Sequence, residues 1–142
     1  MPENMINVLV HFVWATWDRL PLIEPAIERD IHRSIVAICE DHGCPVIAAG
    51  GAEDHVHILV SLSSTMTMAK LMELAKGGSS RYITTVLHNL EWFKWQGSYG
   101  AFSVSPHEKQ KVINYINNQK AHHADRTIWP NAERTDRNDA ET

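Results

Sequence analysis

The apolar positions change period several times along the chain, and each change marks an element. Residues 5–16 (MINVLVHFVWAT) form a nearly unbroken apolar run rich in Val, Phe and Trp. That run predicts a strand lying centrally in a sheet. Residues 18–25 hold Pro21 and Pro25 and predict a loop. Over residues 24–42, Ile27, Ile31, Ile35 and Ile38 recur at helical spacing, with Cys39 on the same apolar face. Glu24 and Glu28 sit near the start of this helix, where negative charge suits the helix dipole, and Gly43 ends it.

Residues 44–49 and 55–62 read as a second and a third strand. Gly50-Gly51-Ala52-Glu53-Asp54 turns between them, so the two form an antiparallel hairpin. Thr65 or Thr67 caps a helix running to Leu90, whose first apolar face is Met68, Leu71, Met72 and Ala75. Gly77-Gly78 weakens that helix by about 1 kcal/mol per glycine and is a candidate kink. A loop, Gly97-Ser98-Tyr99-Gly100, precedes a short fourth strand over residues 101–105. Ser105, Pro106 and Glu108 combine a proline start with a capping box, opening a last helix that extends to about His123.

The order is βαββαβα, and its first six elements match a split, ferredoxin-like (RRM-like) pattern. The fold expected is an α+β sandwich. It has a four-stranded antiparallel sheet with helices on one face, plus a C-terminal helix. The folded domain spans residues 1–130. The polar tail, 131–142, has no apolar side chain larger than alanine and is expected to be disordered.

At 142 residues, 44% hydrophobic, the chain can bury a core without disulfides or a structural metal. No stretch of about 18 apolar residues is available to span a membrane. The first residues lack the basic front of a signal peptide, so the cytoplasm is the expected location, with both cysteines reduced. Net charge is −4, which argues mildly against nucleic acid. The distribution softens that argument: residues 1–60 carry three basic and nine acidic side chains, residues 61–130 eight basic and four acidic. A basic half can bind phosphates while the total is negative.

Three features could carry chemistry. His55-Val56-His57 lies on a strand, where side chains two apart share a face. Two imidazoles side by side make an edge for a divalent metal, and equally describe two solvent-facing or hydrogen-bonded histidines. Asp54 precedes the pair and could orient one imidazole. Tyr115 and Gln119, four apart on a helix, stack on one face. Tyr115 falls at the edge of the stripe formed by Val112, Ile113 and Ile116, where an interfacial tyrosine would also sit. Lys70, Lys76, Gly77, Gly78, Ser79, Ser80 and Arg81 form a basic, hydroxyl-rich stretch suited to a phosphate backbone, or to a kinked helix with a solvated face. The five tryptophans could stack bases or fill core. His122-His123 is either metal-proximal or a cationic helix end.

Taken as an ordered set, these residues resemble the IS200/IS605-type transposases, the single-tyrosine (Y1) members of the HUH nucleases. The resemblance rests on Asp54-His55-Val56-His57-Ile58-Leu59, Ala75-Lys76-Gly77 with Ser79-Ser80-Arg81, Tyr99-Gly100-Ala101-Phe102-Ser103-Val104-Ser105, and Tyr115 with Gln119 and His122-His123. It covers about residues 5–125. It implies a divalent metal, Mg2+ or Mn2+, held by His55, His57 and Gln119, with Tyr115 as nucleophile. It implies strand cleavage through a 5′-phosphotyrosine and rejoining without ATP. The implied substrates are single-stranded DNA hairpins at element ends, gripped by Lys76, Ser79, Ser80 and Arg81. The implied assembly is a homodimer in which the tyrosine helix of one subunit can complete the histidine pair of the other. A domesticated binder of structured single strands, without catalysis, is the alternative.

Overall fold

The computed structural model describes residues 4–87, 92–120 and 135. The first apolar run becomes β1 (Leu9–Ala15), buried at all seven positions. It starts later than the apolar pattern suggests: Met5, Ile6 and Val8 are exposed, and the ladder with β3 begins at Leu9. β1 pairs antiparallel with β3 (His55–Ser61) on one side and with β4 (Gly100–Val104) on the other. β2 (Val46–Ala52) completes the sheet beside β3, giving the order β2-β3-β1-β4. This is the ferredoxin-like order expected from the sequence.

The two faces of the sheet have different partners. Val10, Phe12 and Trp14 of β1 join Val56, Ile58 and Val60 of β3 in the larger core. α1 (Pro25–Asp41) supplies Ile27, Ile31, Ile35 and Cys39, and α2 (Met68–Tyr82) supplies Leu71, Met72 and Ala75. Each fully buried aliphatic side chain here contributes roughly 1.5–3 kcal/mol of transfer free energy. On the opposite face, Leu9, Ala48 and Leu59 meet Val112 and Ile116 of α3 (Lys109–Asn117). Helices α1 and α2 therefore cover one face, and α3 lies across the other.

Several local expectations are corrected. Gly50, Gly51 and Ala52 belong to β2 rather than to the turn, which shrinks to Glu53 and Asp54. α2 runs unbroken through Gly77 and Gly78. Gly78 instead makes room for the Ile38 side chain of α1: a β-carbon there would lie 2.6 Å from Ile38 Cδ1. The irregularity comes later, as a π-helical turn over Ile83–Leu87, where Thr84 and Thr85 bond back to the carbonyls of Ser80 and Arg81. Thr67 is the cap of α2, accepting from the Lys70 N–H at 3.1 Å. Ser105 makes no side-chain cap; a 3-10 turn, Pro106–Glu108, leads into α3 instead. α3 closes at Asn118, and helical backbone resumes over residues 119–120. His122, His123, Trp129 and the tail lie outside the described residues, apart from Thr135, which is buried. Cys39 and Cys44 are buried free thiols. No helix among the described residues is long and apolar enough to cross a membrane.

Candidate active site

The strand register decides which side chains share the face under α3. Val56, Ile58 and Val60 point into the larger core, so His55, His57 and Leu59 point the other way, towards α3. On β1, His11 is on this same face, opposite Leu59, with Val13 opposite His57. On β2, Gly50 lies opposite His57. A side chain at Gly50 would collide with the carbonyl oxygen of Ile116, so the glycine is what lets the α3 backbone settle onto the sheet. Tyr115 and Gln119 are thereby brought over the histidines. All five of His11, His55, His57, Tyr115 and Gln119 are at most 2% exposed.

Tyr115 is therefore fully buried, not at the rim of its helix as the apolar stripe suggests. Its ring stands edge-on to His57, with centroids 6.0 Å apart. The rings of His55 and His57 are 5.0 Å apart. Gln119 donates its amide N–H to the Tyr115 carbonyl at 3.2 Å, which turns its Oε1 towards His55. That oxygen lies 3.1 Å from His55 Nε2.

Each ring of the histidine pair is oriented through Nδ1. Asp54 Oδ1 is 2.7 Å from His55 Nδ1. A carboxylate only accepts, so Nδ1 carries a proton, and in the neutral ring Nε2 then holds the lone pair. His57 Nδ1 is 2.8 Å from Nε2 of His11. Asp54 is itself held by its backbone: its carbonyl accepts from the Thr16 N–H at 2.9 Å, and the Glu53 carbonyl accepts from the Ile23 N–H at 2.9 Å. The loop after β1 thus clamps the hairpin turn that carries the carboxylate.

In the neutral ring the lone pairs of His55 Nε2 and Gln119 Oε1 face each other 3.1 Å apart, a contact that a shared cation, or a second ring proton on Nε2, reconciles. Two cis ligands of an octahedral ion with bonds of about 2.1 Å stand roughly 3 Å apart. The amide oxygen suits Mg2+ or Mn2+, and the imidazole nitrogen favours the softer Mn2+ of the two. The residues present therefore fit a divalent ion. Among the described residues no group of three or more His, Cys, Asp or Glu side chains is placed to hold a metal, so a third donor beside the two histidines would have to be the Gln119 amide oxygen.

The basic stretch divides into two roles. Lys76 is half-buried, and its ammonium donates to the carbonyls of Gln96 at 2.6 Å and Ser98 at 3.2 Å. Burial pushes its pKa down. Ser79 is fully buried, accepts from the Trp95 indole N–H at 2.9 Å and donates to the Lys76 carbonyl. Both side chains thus have hydrogen-bond partners inside the fold. Ser80 is half-buried and Arg81 exposed. Of the tryptophans described, Trp14 and Trp95 are core, packed edge-on at 5.8 Å. Trp17 and Trp92 are exposed, with the Lys94 ammonium 4.0 Å from the centre of the Trp17 ring. The sequence pattern alone does not mark His11 or Gly50: His11 lies within a run that reads simply as a central strand, and Gly50 within an apparent turn.

This arrangement has relatives. The sequence model described as "Transposase IS200 like" matches residues 4–119. Over 117 residues the chain is 26% identical to the ISDra2 transposase TnpA of Deinococcus radiodurans, covering 77% of this chain and 81% of that protein. A solved structure described as a candidate transposase of Deinococcus radiodurans R1 superposes with a TM-score of 0.68 at 22% identity, covering 84% of this chain and 98% of that one. A REP-associated tyrosine transposase bound to a REP hairpin superposes with a TM-score of 0.64 at 12% identity, covering 96% and 90%. At those identities the two structures establish a common fold. Because the family match runs from before β1 to Gln119, taking in the whole sheet and α3, the chain belongs to the IS200-like transposase family.

Proposed function

We propose that the protein cleaves and rejoins single-stranded DNA through a transient covalent bond to Tyr115. A divalent cation, Mg2+ or Mn2+, would be held by His55, His57 and Gln119. The observation that carries this reading is the convergence of Tyr115, Gln119 and both histidines in one buried cluster, from elements more than fifty residues apart in sequence.

In the first step the Tyr115 phenol oxygen attacks the scissile phosphorus and gives up its proton. The bond from phosphorus to the 3′ oxygen of the preceding nucleotide breaks, and that oxygen takes up a proton. The products are a 5′-phosphotyrosine and a 3′-hydroxyl. Attack by a 3′-hydroxyl on the phosphotyrosine reverses the exchange, so the strand is rejoined with no ATP. When bound, the cation supplies polarisation of the scissile phosphate and offsets the charge that builds up there. Asp54 holds the His55 ring in one tautomer, and the Tyr115 carbonyl holds the Gln119 amide in one orientation. The substrates proposed are DNA hairpins flanked by single strands, with Ser80 and Arg81 on the phosphate backbone. A homodimer is part of the proposal. Since the cluster assembles within a single chain, each subunit can hold a complete site of its own.

The test is to mix the protein with a single-stranded hairpin oligonucleotide and Mn2+, then look for a protein–DNA adduct that survives denaturing electrophoresis. Adduct with the wild type and none with Tyr115→Phe supports the reading. Equal adduct from Tyr115→Phe removes Tyr115 as nucleophile. Binding without any adduct would favour a non-catalytic binder.

A further inference from the structure

We propose that His11 is a positioning residue that fixes the tautomer of His57. This inference rests on the cation site of the preceding subsection and adds a residue to it. His11 reaches His57 across 46 residues of sequence, with its Nε2 2.8 Å from His57 Nδ1. Both rings are buried, at 2% and 0% exposure, so water does not substitute for this contact. The ring centroids are 5.0 Å apart with planes tilted by 34°. Phe102, paired with His11 across β1 and β4, packs against the far side of the contact with its ring centroid 6.1 Å from that of His11.

Between two neutral imidazoles, one nitrogen donates and the other accepts. If His11 Nε2 donated, His57 would carry its own proton on Nε2, and that nitrogen could not bind a cation. If His57 Nδ1 donates, Nε2 keeps its lone pair for coordination. A cation on His57 therefore requires His11 to be the acceptor, with its own proton on Nδ1. His55 has a carboxylate for the same task, since Asp54 accepts from its Nδ1. The pair is thus supported symmetrically: each ring is held through Nδ1 and would coordinate through Nε2, one against a carboxylate and the other against an imidazole. Removing such an orienting partner typically costs 10–100-fold in metal affinity.

The test compares wild type, His11→Phe and His11→Gln. Mn2+ affinity is measured by calorimetry, and the His57 tautomer by 15N NMR on histidine-labelled, metal-free protein. The glutamine oxygen can still accept from Nδ1, whereas phenylalanine cannot. The expected result is His57 protonated on Nδ1 in wild type, a 10–100-fold loss of Mn2+ affinity in His11→Phe, and recovery to within a few-fold of wild type in His11→Gln. Thermal unfolding of each variant separates this pattern from a general loss of fold. Wild-type affinity in a folded His11→Phe, or an Nε2–H tautomer of His57 in wild type, overturns the proposal. If wild type binds no Mn2+, the cation reading fails by itself. The NMR tautomer of His57 with and without His11 then still decides whether His11 sets it.

Discussion

Gly50 on β2 and Ile116 on α3 meet backbone to backbone: a β-carbon added to the glycine would strike the Ile116 carbonyl oxygen. Neither partner can swing away as a side chain would. Gly50→Ala must therefore strain the sheet or lift α3, at about 1–3 kcal/mol, the usual cost of overpacking. Lifting α3 also carries Tyr115 and Gln119 away from the histidines. The variant should melt several degrees lower and form DNA adduct at a tenth of the wild-type rate or less. Gly77→Ala is the control, since nothing lies within 4 Å of its β-carbon; in a helix interior it should gain about 0.5–1 kcal/mol and leave adduct formation alone.

Lys76 and Arg81 lie five residues apart on α2 but should respond oppositely to mutation. Lys76 holds the loop before β4 by two carbonyls, Gln96 and Ser98. Lys76→Met should cost about 1.5–3 kcal/mol in urea unfolding, the range for hydrogen bonds to a charged group. Arg81 is exposed. Arg81→Ala should change stability by less than about 0.5 kcal/mol. If Arg81 contacts phosphate, the same variant should bind single-stranded DNA more weakly and flatten the salt dependence of binding by about one ion.

Strand and helix periods carried the fold, because each element buries one face and writes that face into its spacing. The βαββαβ order and its antiparallel sheet follow from that pattern alone. The His55–His57 pair was equally legible, since a two-residue strand period aligns them without tertiary information. What was hidden depended on contacts between distant elements. Gly50 reads as a turn glycine until α3 lies across it. Lys76 reads as a free cation until the carbonyls of the loop before β4 close on it. His11 reads as one residue of an apolar strand until the β1–β3 register sets it diagonally across from His57. Tyr115 reads as peripheral because one helix does not reveal that a sheet lies against its edge.

Cys39 and Cys44 are both fully buried, and burial, reinforced by Cys44 and Glu40, pushes the Cys39 thiol up to about 12. Only the thiolate attacks a disulfide reagent. At pH 8 the native protein should react with Ellman's reagent no faster than it unfolds, and both thiols should react at once in denaturant. A rapid thiol in native protein would contradict the packing of α1 against the sheet.

His32 gives a pH dependence of definite sign. It lies on α1, and burial lowers its pKa below the ordinary value near 6.5; Glu28 opposes that shift and Lys120 adds to it. Glu28 and Lys120 also form an ion pair at 2.9 Å beside it. Above pH 6.5 the ring is neutral in both folded and unfolded chains and contributes nothing. As pH falls below 6.5, the unfolded chain takes up a proton that the folded chain refuses. The unfolded state then binds more protons, so stability falls with falling pH until the folded ring also titrates. His32→Gln removes the titration. In urea unfolding at pH 7.5, 6.0 and 5.0, the wild type should lose more stability over the lower interval than the variant does. Equal losses would mean that the ring is solvated in the fold, contrary to its buried Nε2.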